Sequence, residues 1–159
     1  MTMTTTGLTN LDRAINTLHI WLSALEDELR FEDRAQTYRA LEATLCSLRD
    51  QLTIEQSAHL SAQLPLIVRG AFFNGWQPSR VPVNDRSLEG FLDHVRQGLE
   101  HGPGSEKVDP LRVTRAVFGV LQEFIAPGLI EKIRGGLHGS IAAVWPNPSE
   151  DSEGRQHLH

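Results

Sequence analysis

The stretch that decides the fold runs from Arg39 to Phe72, RALEATLCSLRDQLTIEQSAHLSAQLPLIVRGAF, because its pattern returns 73 residues later without a gap. At that shift Arg39, Ala43, Leu48 and Leu64 meet identical residues, Arg112, Ala116, Leu121 and Leu137. Four further apolar positions meet apolar residues of similar size: Leu52 with Ile125, Leu60 with Ile133, Val68 with Ile141, and Phe72 with Trp145. Such an internal match indicates one structural unit used twice. It predicts an architecture and indicates no particular chemistry.

The spacing of apolar residues predicts helices throughout. From Leu8 to Leu29 they recur at alternating steps of three and four, which is typical of an amphipathic helix. Part of this pattern returns 70 residues later, from Leu88 to Leu99. No segment shows the sustained apolar–polar alternation that would indicate a strand. The sequence therefore predicts an all-α protein made of two tandem four-helix repeats.

The chain divides at a segment without periodicity. We expect repeat 1 at 8–76, a proline-containing linker at 77–86 and repeat 2 at 87–146. The polar ends, 1–7 and 147–159, are expected to form a disordered leader and tail. A half of roughly 60 residues buries too little surface to be stable alone. We therefore predict that the two repeats pack on each other and share one core.

Several helix starts are marked by capping residues. Thr53 and Gln56 match a capping box, and Asp109 followed by a proline is a typical helix start. Asp33 and Ser87 stand where caps are needed before two other helices. Ala126, in contrast, cannot cap the helix that we expect to begin after it. We predict that this helix starts without a side-chain cap.

Composition excludes some classes of function. The formal net charge of −5 argues against binding a phosphate backbone, so we expect no nucleic-acid partner. The single cysteine, Cys46, cannot form an internal disulfide, which fits a reducing compartment. The sequence shows no secretory signal and no run of roughly 20 apolar residues, so we expect no membrane association. The protein is expected in the cytoplasm.

No motif of a known catalytic or cofactor site occurs in the sequence. HExxH, CxxC, Walker, GxGxxG and GxSxG patterns are all absent, so we predict no catalytic residue, no metal and no cofactor. Glu55 and His59 lie four apart on one predicted helix, but the second copy has Gly128 and Lys132 there. We interpret this pair as a solvated helix face, and Cys46 as a packed, unreactive thiol.

Three arginines are the candidate ligand-binding residues. Arg39 and Arg112 are the charged residues repeated between the copies, and Arg69 follows the Leu-Pro junction of the first copy. One interpretation is structural, in which guanidinium groups form salt bridges or cap carbonyl groups. The other is functional, in which the guanidinium groups face the seam between repeats and grip a small anion bidentately.

Three aromatic residues are the candidate partner-binding residues. Trp21 widens the stripe of the first helix, while Phe73 and Trp76 lie off the main stripe at the end of the fourth. An exposed aromatic pair beside a proline-containing loop suits a protein partner. The alternative is that Trp76 folds back over the linker. The first-helix stripe also suggests a homodimer.

The two copies together resemble the domain of unknown function 2267 family. The matching stretches are RALEATLCSLRDQLTIEQSAHLSAQLPLIVRGAFFNGWQP and RVTRAVFGVLQEFIAPGLIEKIRGGLHGSIAAVWP, and the resemblance spans roughly Leu18 to Pro146. It departs from the family pattern at Ala126, where a capping Ser or Thr is expected, and at Leu137-His138 in place of Leu-Pro. The resemblance implies a bacterial two-repeat helical fold and brings no established activity with it.

The function predicted from these observations is a non-enzymatic helical interaction or regulatory module. The alternative is a sensor of a small ligand or anion at the seam between the two repeats.

Overall fold

The computed structural model describes residues 6–100 and 108–147. These residues form eight α-helices and no strand: α1 (Thr9–Leu29), α2 (Arg34–Gln51), α3 (Ile54–Gln63), α4 (Leu66–Phe73), α5 (Leu88–Leu99), α6 (Pro110–Phe124), α7 (Pro127–Gly135) and α8 (Gly139–Ala142). A short 3₁₀ turn, Pro78–Arg80, lies between α4 and α5. The predicted all-α fold is confirmed. The predicted leader and tail lie largely outside the described residues.

The predicted capping residues act as caps. Asp33, Ser87 and Asp109 accept hydrogen bonds from the backbone N–H groups of Ala35, Gly90 and Leu111 at 2.9, 3.0 and 3.0 Å. Each bond satisfies one of the donors that the first turn of a helix leaves without a partner. The capping box is also formed, because the Thr53 hydroxyl accepts from Gln56 N at 3.1 Å and the Gln56 side chain accepts from Thr53 N at 2.9 Å.

α7 begins after Ala126 without a side-chain cap, as predicted. The backbone N–H of Ala126 nevertheless has a partner, because it donates to Gln63 Oε1 at 3.0 Å. Gln63 is the last residue of α3, in the other half of the chain. A side chain from the first half therefore satisfies a helix start in the second.

α2 occupies the centre of the molecule. It packs against α1 and α4 in its own half and against α5 and α6 in the other half. Several of the helix contacts occur in matched pairs: α1·α2 with α5·α6, α1·α4 with α5·α8, and α1·α6 with α2·α5. Matched pairs are what two similar halves related by an approximate two-fold axis would give. They support the two-repeat organisation, which stays a sequence prediction.

The core is one cluster of aliphatic and aromatic side chains drawn from both halves. Phe118 lies at its aromatic centre, stacked on Trp145 with ring centroids 4.0 Å apart and tilted to Phe91 at 6.0 Å. All three rings are buried. Rings at these separations add to the stabilisation that their burial already provides.

The linker is tied to the body of the protein by hydrogen bonds. Val83 N donates to Asp50 O at 2.9 Å, and Gln51 Nε2 donates to Asp85 O at 3.1 Å. Arg86 Nη2 donates to the Gly136 carbonyl at 2.9 Å, at the end of α7. The segment between the halves therefore follows a defined path along α2.

We expect Gly98→Ala to destabilise the fold, because α2 and α5 approach closely at this position. A Cβ at Gly98 would lie 2.6 Å from Ala43 Cβ and 3.2 Å from Ala43 Cα, and neither atom can move without its helix. Overpacking of this kind costs about 1 to 3 kcal/mol. The matched control is Gly119→Ala in α6, where the new Cβ would meet Pro146 Cγ at an ordinary 3.6 Å. This control should gain about 0.5 kcal/mol from helix propensity.

Urea unfolding of the two variants beside the unmodified chain provides the measurement. Equal midpoints for Gly98→Ala and Gly119→Ala would contradict the close approach of α2 and α5.

Candidate functional site

The N-terminal part of α1 extends beyond the shared core. α1 has 21 residues whereas α5, its counterpart in the predicted repeat, has 12. The buried residues of α1 begin only at Trp21, and the preceding turns, from Thr9 to Ile20, are about 18 Å long at 1.5 Å per residue. Within these turns Leu18 still packs against the core, so the less covered part is the N-terminal end. We call this segment, Thr9 to Ile20, the α1 extension.

An apolar stripe runs along the α1 extension and the residue before it. Leu8 is 55% exposed and Leu11 is 36% exposed, while Ile15 is half-buried and lies outside the core cluster. We call Leu8, Leu11 and Ile15 the exposed stripe. Leu18, one turn further on, packs against the core. Among the described residues, the stripe is therefore the part of the first-helix pattern that the fold covers least, with Leu8 and Leu11 exposed and Ile15 covered only in part.

The start of α1 is held by Thr6 and Asp12. Thr6 donates to Asp12 Oδ1 from its backbone N–H at 3.1 Å and from its hydroxyl at 2.8 Å. Leu8 N donates to the Thr6 hydroxyl at 3.1 Å. Asp12 also lies in the first turn, where a negative charge interacts favourably with the helix dipole. These contacts hold the chain at the start of α1, where the extended Leu8 precedes the first helical residue, Thr9.

The base of the α1 extension is clamped to α2 by Arg34. The Arg34 guanidinium binds both carboxylate oxygens of Glu26, at 2.9 and 3.0 Å, and donates to the Ser23 hydroxyl at 3.0 Å. It also contacts Nδ1 of His19. The hydrogen bond and charge of Arg34 hold the pKa of Glu26 below its ordinary value. The extension therefore leaves the body of the protein at a fixed angle.

Trp21 lies in the core rather than on the surface. It is only 3% exposed, and its ring stacks on Phe124 with centroids 5.0 Å apart and planes 24° apart. The partner-binding role predicted for Trp21 is therefore corrected, since a buried ring offers no surface to a partner. Phe124, at the end of α6, is 38% exposed and is the aromatic residue that reaches the surface beside the α1 extension.

Phe73 and Trp76 form a partly buried pair at the end of α4. Their ring centroids are 5.0 Å apart, and Phe73 in turn meets Phe72 edge-to-face at 5.0 Å. The Trp76 indole nitrogen is buried and has no hydrogen-bond partner among the described residues. This packing favours the interpretation in which Trp76 folds back onto the protein. The partner-binding role of Phe73 and Trp76 stays a prediction.

Two of the three candidate arginines cap helix ends. Arg112 Nη2 donates to the carbonyls of Glu28 and Leu29 at 3.1 and 2.9 Å, at the end of α1. Arg69 donates to the carbonyls of Ser61 and Leu64 at 2.8 and 3.0 Å, at the end of α3. The third, Arg39, is half-buried and has no hydrogen-bond or ion-pair partner among the described residues.

The two candidate arginines that have partners bind the ends of different helices, Arg69 at α3 and Arg112 at α1. Carbonyl groups at helix ends carry partial negative charge, so an arginine there is stabilising without any ligand. The geometry favours the structural interpretation, and anion binding by these residues stays a prediction.

Arg49 is a buried cation that the sequence analysis missed. It is 4% exposed, donates to the carbonyls of Phe72 and Asn74 at 3.0 and 2.8 Å, and pairs with Asp50 at 2.9 Å. The predicted repeat contained a sequence signal for this role of Arg49. The matching position is Gln122, whose amide donates to the Pro146 carbonyl at 3.0 Å. At matching positions of the predicted repeat, long polar side chains thus both bind backbone carbonyl groups, Arg49 at the end of α4 and Gln122 after α8.

The surroundings of Cys46 suppress its reactivity. Its thiol donates to the carbonyls of Ala71 and Asn74 at 3.4 and 3.6 Å, and Arg49 donates to the sulfur at 3.6 Å. Burial raises the pKa of Cys46 to about 11, which outweighs the opposite effect of the Arg49 charge. A thiol in this state is a packing residue, in line with its sequence interpretation.

A groove of about 350 Å³ lies between α3 and α7, one helix from each half. It is lined by Thr53, Glu55, Gln56, His59, Leu129, Lys132 and Ile133. Glu55 and His59, interpreted from the sequence as a solvated face, thus share a groove with Lys132, the repeat counterpart of His59. Sequence comparison alone missed this, because the copies become neighbours only when the halves pack.

Neither a metal site nor a membrane-spanning helix is found among residues 6–100 and 108–147. No group of three or more His, Cys, Asp or Glu side chains there could hold a metal ion. No helix in the same range is long and apolar enough to cross a membrane.

We expect Arg112→Met to lower the free energy of unfolding by about 1 kcal/mol, because two carbonyl groups lose their donor. Arg39→Met is the matched control and should stay within about 0.5 kcal/mol of the unmodified chain. Chemical unfolding with and without inorganic phosphate provides the measurement. A stabilisation by phosphate that disappears in both variants would contradict the structural interpretation of these arginines.

Cys46 should react slowly with iodoacetamide in the folded protein. A rise of its pKa from 9.0 to about 11 lowers the thiolate fraction at pH 8 by about 100-fold. As the chain has a single cysteine, the alkylation rate reports this site alone. The rate in the folded protein should keep rising with pH after the rate of the guanidinium-unfolded chain has levelled off. Equal rates for the two states at pH 8 would contradict the raised pKa.

The model of the family described as "uncharacterized conserved protein (DUF2267)" matches residues 18–144. No curated protein matches the chain. The family match begins at Leu18, so the exposed stripe lies outside it, whereas the capping arginines, the α3–α7 groove and all of the core except Trp145 lie within it. Since the match covers well over half of the sequence, the chain belongs to the domain of unknown function 2267 family.

Proposed function

We propose that the protein is a non-enzymatic helical interaction module that forms a homodimer through the exposed stripe of α1. The observation that carries this proposal is the apolar row at the N-terminal end of α1, where Leu8 and Leu11 are exposed and Ile15 is half-buried. Apolar residues that recur on one face of a helix are stabilised when another helix covers them. A second copy of the same stripe is the occupant that we infer.

The charge of the α1 extension supports a second copy as the partner. The whole chain carries a net charge of −5, which opposes close approach of two copies. Within the extension, however, the charged residues are Asp12 and Arg13, which cancel. Two copies that meet along this segment therefore avoid most of the repulsion between their acidic bodies.

The pattern of the stripe is also self-complementary. Steps of three and four place its side chains in a row that can interlock with an identical row, as in short coiled coils. A contact of one surface with a copy of itself closes as a two-fold dimer. Phe124, exposed beside the base of the extension, lies where it can add apolar area to such a contact.

The remaining features of the chain fit this proposal. The acidic charge argues against a nucleic-acid partner, and the single cysteine suits the reducing cytoplasm in which we place the protein. The alternative function predicted from the sequence is a sensor of a small ligand or anion at the seam between the repeats. The groove between α3 and α7 supports this alternative better than the three candidate arginines do.

We expect the double variant Leu11→Lys, Ile15→Lys to abolish self-association, because two charged side chains per copy would be brought together in the dimer. The matched control is Ile20→Lys, since Ile20 is 51% exposed and lies on the opposite face of α1. Sedimentation velocity at rising protein concentration provides the measurement. The unmodified chain and the control should shift from monomer to dimer, while the double variant stays monomeric.

Truncation offers a second test with the same readout. A chain that begins at Thr17 keeps all residues matched by the family and loses the exposed stripe. It should remain helical by circular dichroism and should be monomeric at every concentration. A monomeric unmodified chain, or a dimer that survives this truncation, would contradict the proposal.

A further inference from the structure

The groove between α3 and α7 has firm walls. The capping box of Thr53 and Gln56 holds the start of α3, and the bond from Ala126 N to Gln63 Oε1 ties the other end of α3 to the start of α7. At the other end of α7, Gly136 leaves room for the Gln56 amide, which a Cβ there would contact. Hydrogen bonds from these side chains thus fix the spacing of the two helices. The groove is therefore already formed before a ligand binds.

The groove combines an apolar floor with charged walls. Ile133 is buried and Leu129 is half-buried between the helices. Glu55, His59 and Lys132 are exposed along the rims. Its volume of about 350 Å³ lies at the lower end of the range for small-ligand sites, about 300 to 1,000 Å³. A small molecule with an apolar part fits this shape.

The charged side chains of the groove lack partners. Glu55 and Lys132 form no hydrogen bond or ion pair within 4.0 Å, with each other or with other described residues. Elsewhere on the same surface, charged side chains do pair, as Glu26 does with Arg34 and Asp93 with Arg96. The Glu55 carboxylate and the Lys132 ammonium group therefore border the same groove. Both can form hydrogen bonds with a ligand.

This arrangement selects for the charge of a ligand. An anion would be attracted by Lys132 and repelled by Glu55, and a cation would meet the reverse. A molecule that carries both charges gains from both side chains at once. A divalent metal ion fits poorly, because Glu55 and His59 supply two ligands and Lys132 adds a like charge.

We propose that the groove between α3 and α7 binds a small zwitterion with an apolar side chain, of the class of free apolar α-amino acids. The ammonium group of the ligand lies against Glu55, its carboxylate lies against Lys132, and its apolar side chain covers Leu129 and Ile133. The imidazole of His59 borders the same carboxylate. This site is separate from the exposed stripe, so binding here and dimerisation through α1 succeed or fail independently.

The test uses three probes of equal apolar shape: L-leucine, 4-methylpentanoate, which lacks the ammonium group, and 3-methylbutylamine, which lacks the carboxylate. Chemical shifts of backbone amides in the full chain report where each probe binds. L-leucine should shift the amides of α3 and α7 saturably. Each singly charged probe should bind at least about fivefold more weakly, the effect of one partly exposed charge pair.

Substitutions separate the site from general surface charge. Glu55→Gln and Lys132→Met should each weaken L-leucine binding about fivefold. Glu131→Gln is the matched control, because Glu131 is an exposed carboxylate on α7 that does not line the groove, and it should leave binding unchanged. No saturable shift with L-leucine, equal binding of the singly charged probes, or an equal loss in the control would each overturn the proposal.

Discussion

The burial of α2 between helices of both halves is the constraint on which the rest of the structure depends. Ten of its 18 residues are buried, and its neighbours are α1, α4, α5 and α6. Some of its buried polar side chains are satisfied within the helix, since Thr44 and Ser47 donate to the carbonyls of Ala40 and Ala43 at 2.9 and 2.8 Å. The Thr37 hydroxyl and the Gln51 amide oxygen are buried without a hydrogen-bond partner among the described residues. Since α2 needs cover from both sides, neither half can bury its apolar surface without the other.

Hydrogen bonds between the two halves fix their relative position, which apolar packing alone would define less sharply. Arg112 of α6 holds the last carbonyls of α1, Gln63 of α3 satisfies the start of α7, and Arg86 of the linker binds the Gly136 carbonyl. Each bond uses a backbone group that a helix end leaves without an internal partner. Apolar burial supplies most of the stability, while these directional bonds choose one relative placement of the halves. The α3–α7 groove depends on that choice, because its two walls come from different halves.

Local features were predictable from sequence, and features that arise between distant segments were not. The helices follow from apolar spacing, and the caps at Asp33, Thr53, Ser87 and Asp109 follow from residue type and position. Trp21 was misplaced because spacing along α1 says nothing of Phe124, which covers its ring. The groove was missed for a similar reason, since Glu55 and Lys132 belong to different copies of the predicted repeat. Arg49 was missed although its repeat counterpart also binds carbonyl groups, because the two side chains differ in type.

The two halves of the chain differ in features that core packing does not require. Residues at matching positions of the predicted repeat are buried alike: Leu64 and Leu137 are both buried, as are Phe72 and Trp145. The α1 extension has no such counterpart, since α5 is shorter. This asymmetry matters for assembly. An exposed stripe on each half would give every chain two binding faces, and two faces on one molecule favour open chains of copies. In the proposed dimer, one self-complementary stripe per chain would leave no free face after two copies had met, so the contact that joined them would also end the assembly at two copies.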